Sequence, residues 1–273
     1  MIAPMITPML ALDEKRIIVT GGGRGIGLAL CTAIIDAGGY VGILDILKEP
    51  HPDCQALVER SGRCYYFNCD ITKRESLETA FGKCVGALGG HIDGCVTNAG
   101  IGTDKPFLDH TWEDFERVVA VNVTGTFFPA QLAVRQMLSQ PVCERGGARG
   151  SIVMIASAAA SHNCPGHLLT AYGGTKGFVK SFAMQLGHEL ATTGIRVNSI
   201  SPGYIETDLN LDLAKIRPNV KHYFTEAPPM KRIGHPKDIA GGLVYLLSDV
   251  AAYVTGHNLA IDGGMSTGNG LTR

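Results

Sequence analysis

The segment that decides the fold follows an apolar run, Ile17-Ile18-Val19, and reads Thr20-Gly21-Gly22-Gly23-Arg24-Gly25-Ile26-Gly27. A β-branched run that ends in clustered glycines and opens into an apolar helical segment is typical of a strand–turn–helix unit. Glycines let the backbone turn tightly and approach a pyrophosphate without a Cβ clash, and the first N–H groups of the following helix can bind that anion. Because the segment lies near the start of the chain, it predicts a dinucleotide-binding fold. An ordinary surface turn is the alternative.

A second apolar run, Tyr40-Val41-Gly42-Ile43-Leu44, ends at Asp45, which lies 20 residues after Gly25. An acidic side chain at the end of the second strand of such a unit can accept hydrogen bonds from both adenosine ribose hydroxyls, and it repels a 2′-phosphate. Asp45 is therefore a candidate ribose ligand. A surface aspartate at a strand end is the alternative interpretation.

Far downstream, a tyrosine and a lysine stand four residues apart in Tyr172-Gly173-Gly174-Thr175-Lys176. Residues at i and i+4 share one helix face, so both side chains can reach the same cofactor ribose. The pair by itself is common on surface helices. Its combination with the glycine turn is highly specific.

On these residues the chain resembles the short-chain dehydrogenase/reductase family, from about Lys15 to Gly264. The further matching segments come in family order and are Asn98-Ala99-Gly100, Val121-Asn122-Val123-Thr124-Gly125, Ser157, Pro202-Gly203 and Asp262-Gly263-Gly264. The resemblance implies an NAD(P)-dependent oxidoreductase that acts on CH–OH groups. It also implies a homo-tetramer or homo-dimer with a small-molecule substrate, and contacts through the 172–191 helix and the C-terminal strand.

The alternation of elements predicts an α/β fold with a doubly wound parallel sheet of the Rossmann type and helices on both faces. Strand-like apolar runs occur at 17–20, 40–44, 64–67, 93–97, 151–155, 195–200 and 258–261. Helical patterns lie between them, near 25–37, 51–60, 73–87, 111–138, 172–191 and 236–247. Strands that are apolar on both faces indicate a parallel sheet covered on both sides.

Tyr172 is the candidate general acid/base, because the interconversion of a ketone and an alcohol needs a proton donor beside the carbonyl oxygen. An unperturbed tyrosine has a pKa of about 10, and the charge of Lys176, one turn away, would lower it. The resemblance implies that Lys176 also binds the nicotinamide ribose and that Ser157 holds the substrate oxygen. It implies that Asn122 holds a water that relays protons to Lys176. Ser161 is the fallback for Ser157.

The resemblance extends to the residues that would bind the cofactor. Asp70 resembles the aspartate that accepts from the adenine amino group, and Asn98 resembles the residue that supports the central sheet and lines the cofactor cleft. Ile205 and Thr207 resemble the pair that meets the nicotinamide carboxamide. The full predicted cofactor set is Gly21, Arg24, Gly25, Ile26, Gly27, Asp45, Asp70, Ile71, Asn98, Gly100, Tyr172, Lys176, Pro202, Gly203, Ile205 and Thr207.

Two residues give opposite indications about the cofactor. In the family, a basic residue at the position of Arg24 often accompanies NADP, because it can pair with the 2′-phosphate. Asp45 favours NAD, because a carboxylate beside a phosphate is repulsive and poorly screened in a cleft. The sequence therefore predicts NAD, with NADP as the alternative.

Composition narrows the classes of function. The chain has 273 residues, a formal charge of −1, 45% hydrophobic residues and 18% charged residues. Such a balance is typical of a globular protein with a sizeable core, and it gives no electrostatic footprint for nucleic acid or a membrane surface. The cysteines form no CxxC pair and no metal-ligand spacing with histidine, so we expect no metal site and a cytoplasmic, reducing location.

The predicted organisation is a short N-terminal arm at 1–14 and a single catalytic domain at 15–273. The 204–232 segment follows the sixth strand and carries aromatic and proline residues, so we predict a substrate lid there, an ordinary covered loop being the alternative. Cys164 should border the active site. His162 and His167, in the same loop, could touch substrate but are more typical of exposed positions.

Three functions are compatible with the fold. The first is an oxidoreductase on a secondary alcohol or ketone, with polyols and secondary-metabolite ketones as candidate substrates. The second is a non-redox cyclase or lyase that keeps the cofactor as a scaffold, and the third is a cofactor-sensing regulator. The complete set of Asn122, Ser157, Tyr172 and Lys176 favours the first, although fold alone does not settle function.

Overall fold

A computed structural model describes residues 10–141, 148–207 and 220–267. Its centre is one sheet of seven parallel strands in the order β3-β2-β1-β4-β5-β6-β7. The strands are β1 Arg16–Thr20, β2 Tyr40–Asp45, β3 Cys64–Asn68, β4 Gly94–Thr97, β5 Gly150–Ile155, β6 Ile195–Pro202 and β7 Asn258–Ile261. Every predicted strand is present, and the doubly wound parallel sheet is confirmed.

Helices cover both faces of this sheet. They are α1 Gly25–Asp36, α2 Pro52–Ser61, α3 Arg74–Ala87, α4 Trp112–Val119, α5 Gly125–Ser139, α6 Thr170–Glu189, α7 Lys221–Glu226 and α8 Pro236–Leu247. One buried cluster joins the sheet to α3, α5 and α6, and a second joins it to α1, α2 and α8. Alternate residues of β1 explain this division, because Ile18 belongs to the first cluster while Ile17 and Val19 belong to the second.

The site is positioned by β1, which pairs with β2 on one side and β4 on the other. The chain order reverses at this point, so a crevice opens beyond the carboxyl ends of the central strands. Thr20, the last residue of β1, pairs with Leu44 and with Thr97. The glycine turn, Asp45 and Asn98 therefore follow three neighbouring strands at one edge of the sheet.

One predicted helix differs from the structure. The 111–138 stretch is interrupted by a π-helical turn at Ala120–Thr124, which separates α4 from α5. Such turns insert an extra residue into a helix and are frequent at functional sites. Asn122 lies in the middle of this wide turn and is completely buried.

Parts of two predicted segments lie outside the described residues: residues 1–9 of the arm and residues 208–219 of the lid. The remainder of the lid contains α7, which the sequence did not predict. Within the described ranges, no helix has the length and apolar character needed to cross a membrane.

Candidate active site

The glycine turn has the backbone that its sequence predicts. Gly21 has φ +65° and Gly25 has φ +56°, a left-handed conformation that L side chains adopt at a cost. A Cβ on Gly27 would lie 2.0 Å from the Gly21 carbonyl oxygen, so only glycine lets α1 start so close to β1. Arg24 precedes α1 without capping it through its side chain, which leaves the first N–H groups of this helix free of a side-chain cap.

Asn98 fastens the turn to the central sheet. Its amide nitrogen donates to the carbonyl oxygens of Thr20 at 3.1 Å and Gly21 at 2.8 Å. In return, the Thr20 hydroxyl accepts from the backbone N–H of Asn98 at 3.1 Å. These bonds give Asn98 the supporting position that the sequence predicts. Thr20 also accepts from the Ala99 N–H at 3.2 Å, a supporting role that its place in the sequence did not indicate.

Asp45 is buried at the end of β2, beside the turn. Its carboxylate accepts from the Gly23 N–H at 2.8 Å and from the Leu47 N–H at 3.1 Å. A carboxylate offers about four lone-pair sites, so two remain for further donors. Arg24 is exposed, and Ile46, the residue after Asp45, has 66% of its surface exposed. This corner therefore combines a negative and an apolar side chain.

Asp70 and Ile71 lie beyond β3. Partial burial disfavours the charged form of Asp70, but hydrogen bonds from Thr72 and the nearby Lys73 ammonium outweigh it, so the net pKa of Asp70 is lowered. Ile71 is buried against Gly125, where a Cβ would lie 2.5 Å from its Cδ1. Its side chain is thus part of the core.

The opposite wall of the crevice comes from the segment after β6. The Gly203 N–H donates to the Ile261 carbonyl at 3.0 Å, and Ile205 is buried and bridges to Gly234. Thr207 crosses in front of the turn, since its Cγ2 lies 3.9 Å from the place of a Cβ on Gly25. A separate cavity of about 400 Å³ lies between Gly25 and Thr207 and is otherwise lined by α1 and by the starts of α2 and α8, so it borders the crevice and does not reach Ser157 or Tyr172.

Tyr172 and Ser157 meet at the end of this crevice. Burial raises the pKa of the Tyr172 phenol, and the nearby Ser157 hydroxyl partly opposes that rise. The pKa of Tyr172 is therefore raised overall, whereas the sequence led us to expect that the charge of Lys176 would lower it. The reason is geometric, because the Lys176 ammonium lies 5.8 Å from the centre of the Tyr172 ring and is bonded elsewhere.

Lys176 is a buried cation. Its Nζ donates to the Ile155 carbonyl at 2.7 Å, and burial lowers its pKa to about 8. A Cβ on Gly100 would lie 3.2 Å from this nitrogen and 3.4 Å from Asn122 Oδ1. Gly100, Asn122 and Lys176 therefore lie close together.

The Asn122 side chain has its hydrogen bonds satisfied by protein. Its amide nitrogen donates to the Ile101 carbonyl and to the Thr175 hydroxyl, both at 2.9 Å, while its oxygen accepts from the Ile101 N–H at 2.9 Å. A relay through Asn122 would therefore use its main chain rather than its amide. Thr175 also donates to the Tyr172 carbonyl at 2.7 Å, within α6. By accepting from Asn122, this threonine, whose role its sequence did not indicate, joins the π-turn to α6.

In the loop between Ser157 and Tyr172, the burial of one histidine, His167, differs from the prediction. Ser161 and His162 are exposed, and Ser161 accepts from Lys180 at 2.6 Å. The His167 side chain, predicted to be exposed, is only 4% exposed and pairs with Asp104 at 2.7 Å. The exposed position predicted for His167 is therefore wrong, because its ring is hydrogen-bonded to the buried carboxylate of Asp104. Cys164 is buried and close enough to Tyr172 to influence its phenol, in agreement with its expected place beside the active site.

Comparison with known proteins identifies this arrangement. A family model described as "Enoyl-(Acyl carrier protein) reductase" matches residues 21–266, which include the turn, the Ser157–Tyr172 pair and the segment after β6. The chain belongs to the short-chain dehydrogenase/reductase family. This membership makes it an enzyme of the NAD(P)-dependent dehydrogenase/reductase class, which confirms the predicted class and a nicotinamide cofactor.

Individual relatives of this short-chain dehydrogenase/reductase match over nearly their whole length. L-Rhamnose 1-dehydrogenase (NAD(P)(+)) of Sphingomonas sp. strain SKA58 is 36% identical over 260 residues, which cover 94% of this chain and 98% of the relative. The 2,5-dichloro-2,5-cyclohexadiene-1,4-diol dehydrogenase of Sphingobium indicum strain UT26S is 34% identical, with 94% and 99% covered. A solved short-chain type dehydrogenase/reductase from Mycobacterium marinum is 31% identical, has a TM-score of 0.87, and covers 96% of this chain and 100% of its own.

The residues of this short-chain dehydrogenase/reductase fit a nicotinamide dinucleotide. The cradle at Gly21 is one that a Cβ would fill, since such an atom would lie 2.7 Å from Ala99 Cα. The start of α1 can receive a pyrophosphate, and Asp45 has acceptor sites left for ribose hydroxyls. The buried Lys176 ammonium supplies a donor at the other end of the crevice.

Proposed function

We propose that the protein interconverts a secondary alcohol and a ketone, with Tyr172 as the general acid/base. The observation that carries this proposal is the proximity of three side chains: the Ser157 hydroxyl lies close enough to the Tyr172 phenol to lower its pKa, and the buried Lys176 ammonium lies 5.8 Å from the centre of the Tyr172 ring. Two adjacent hydroxyl groups can share one carbonyl oxygen, the serine holding it and the tyrosine exchanging a proton with it. The cofactor, when bound, supplies or accepts the hydride.

Lys176 would serve as the cation of the site. Because its pKa of about 8 lies above neutrality, the ammonium remains largely protonated at pH 7. It would hold the nicotinamide ribose and favour the Tyr172 phenolate through its charge. Since the phenol alone has a raised pKa, we infer that Tyr172 loses its proton readily only in the assembled complex. The main chain of Asn122 would hold the relay water near Lys176.

Replacement of Tyr172 by Phe tests this function. The ring keeps its packing and loses only the proton donor, so kcat should fall by about 10²–10⁴-fold, the usual contribution of a general acid/base. The dissociation constant of NADH should change little. Turnover is followed by NADH absorbance with a panel of ketones, and binding by fluorescence titration. If the variant keeps more than about a tenth of wild-type kcat, Tyr172 is not the general acid/base. If the wild type turns over none of the ketones, a scaffold or sensor function is favoured instead.

We propose NAD as the preferred cofactor and NADP as the alternative. A 2′-phosphate would meet the Asp45 carboxylate and the apolar Ile46 at the end of β2, and both disfavour it. Arg24 follows Gly23, whose N–H donates to Asp45, but its side chain is exposed and makes no hydrogen bond or ion pair within the described residues that would hold it toward a 2′-phosphate. The substrate class we propose is a hydroxylated ketone or polyol, since the relatives named above act on a sugar and on a cyclic diol.

We also propose a homo-oligomer, tetramer or dimer, in the cytoplasm. The described cysteines are free and buried, which suits a reducing compartment.

The proposed contact between copies is a continuous aromatic face on α5 and α6. It consists of Phe127, Phe128, Phe178 and Phe182, with ring centroids of neighbouring pairs 5.1–5.4 Å apart. Phe127 and Phe128 are 37% and 46% exposed, and an apolar patch of this kind is typical of a protein–protein contact.

A further inference from the structure

The loop before the catalytic helix contains a buried histidine that the proposed reaction does not use. His167 Nδ1 lies 2.7 Å from Asp104 Oδ2, and the two side chains are 4% and 10% exposed. His167 Nε2 is also buried, but it has no hydrogen-bond partner among the described residues. A buried polar atom without a partner is destabilising, so such an atom in a native protein calls for an explanation.

Asp104 fixes both the ring and the loop. Its second carboxylate oxygen accepts from the Leu168 N–H at 2.9 Å, and the Lys105 N–H donates to the Leu168 carbonyl at 3.2 Å. A carboxylate only accepts, so Nδ1 carries the hydrogen in this pair. The orientation of the ring, and with it the direction of Nε2, is therefore set by a residue that follows β4.

The ring of His167 is surrounded by aromatic and apolar side chains, one of which lies near Tyr172. His167 stacks on Phe224 of α7 at 5.9 Å and contacts Tyr204 at 5.4 Å. The Tyr204 hydroxyl is already used, because it donates to the Pro165 carbonyl at 3.0 Å. Cys164 packs in the same cluster as Tyr204 and Phe224, and it also lies near Tyr172. His167 Nε2 is thus an unsatisfied polar atom among aromatic side chains, and Cys164 connects this group of side chains to Tyr172.

We propose that His167 is a specificity-determining residue whose Nε2 binds a hydroxyl group of the substrate, with Asp104 as its positioning residue. A hydroxyl suits this nitrogen in either protonation state, since it donates to the lone pair of a neutral ring and accepts from the N–H of a charged one. The substrate is then a ketone or alcohol with a second hydroxyl. This inference rests on the proposed function and makes its substrate class more specific.

The test compares ketones that differ by one hydroxyl, namely 2-hydroxycyclohexanone with cyclohexanone, and L-sorbose with its single-deoxy analogues. A site built to bond a hydroxyl discriminates strongly against the analogue that lacks it, so the wild type should prefer the hydroxylated member of at least one pair by about 10²-fold or more in kcat/KM. His167→Asn keeps a donor for Asp104 and removes Nε2, and should bring that ratio to within about tenfold of unity. His162→Asn, the same change at an exposed position of the same loop, should preserve the ratio.

If His167→Asn fails to fold, as judged by its thermal transition, His167→Phe keeps a ring between Tyr204 and Phe224 and is measured instead. The inference is overturned if the wild type has no hydroxyl preference in any pair, or if the ratio is the same with and without Nε2. If no ketone consumes NADH, the proposed function fails separately. In that case the role of His167 is tested by calorimetric titration of the NADH complex with trans-1,2-cyclohexanediol. Binding of the diol that is lost in His167→Asn and kept in His162→Asn supports the inference. Any other pattern refutes it.

Discussion

Lys176 shows how one buried side chain can serve function at the expense of stability. Folding lowers its pKa from 10.5 to about 8, so the unfolded chain holds this proton more tightly. By linkage, the protein is destabilised below pH 8, and stability rises as the pH moves from about 8 to 10.5. In the proposed reaction this charge would bind the cofactor ribose and stabilise the Tyr172 phenolate.

Lys176→Met should therefore stabilise the cofactor-free protein at pH 7 while abolishing turnover. The shift corresponds to roughly 3 kcal/mol at about 1.4 kcal/mol per unit, less the lost bond to Ile155, so we expect a gain of about 1–3 kcal/mol. The gain should shrink as the pH approaches 10.5. Urea unfolding at several pH values measures it, with Lys180→Met one turn further along α6 as the control. A loss of stability at pH 7, or a gain independent of pH, would contradict this account.

Asp45 gives the second prediction at this scale. Asp45→Ala removes two remaining acceptor sites and the charge that opposes a 2′-phosphate, so NADH should bind more weakly by about 1.5–3 kcal/mol, the scale of hydrogen bonds to charged groups. The gap between NADH and NADPH should narrow or reverse. Asp45→Asn keeps the shape and should mainly relieve the penalty on NADPH. Tighter binding of NADPH than of NADH by the wild type would show that Arg24 dominates.

At the level of elements, helix α3 offers a comparison between two glycines. Gly82 lies in the exposed middle of α3, and Gly90 follows the helix with φ +79°; neither would meet another atom within 4 Å through a Cβ. Gly82→Ala should stabilise the protein by about 0.5–1 kcal/mol by reducing the entropy of the unfolded chain. Gly90→Ala should destabilise it by about 1 kcal/mol, since the left-handed backbone disfavours a Cβ. Chemical denaturation of both variants would reveal the opposite signs, and equal effects would disprove the conformational argument.

The strands and the cofactor turn could be predicted from sequence because their signals are local. Apolar β-branched runs mark each strand, and the glycines of 21–27 mark a turn whose geometry admits no larger residue at Gly27. The π-turn could not be predicted in this way, since the bonds that hold Asn122 reach Ile101 and Thr175, 21 and 53 residues away. The burial of His167 likewise depends on Asp104, 63 residues distant. A local sequence pattern cannot indicate partners that are so distant along the chain.

At the scale of the whole molecule, the aromatic face of α5 and α6 should be covered by a second copy of the chain. Phe128→Glu would place a charge in that contact, where a buried charge without a partner is strongly unfavourable. We expect the variant to sediment as a smaller species than the wild type at micromolar concentration. Met230→Glu, a substitution at another exposed apolar side chain away from these helices, should leave the mass unchanged. An unchanged mass for Phe128→Glu would place the interface elsewhere.

The small aromatic cluster around Phe224 and Tyr204 has a consequence for how the protein opens. Its buried members, Cys164, Tyr204, Val220, Phe224, Ala227 and Met265, are shared with neither of the two large clusters that flank the sheet. A unit with so little apolar surface of its own can unfold locally at a free energy far below that of global unfolding. Backbone amides of 221–226 should therefore exchange with deuterium long before those of β1, and a bound ternary complex should slow them selectively. This cluster would then unfold and refold many times while the sheet stays folded.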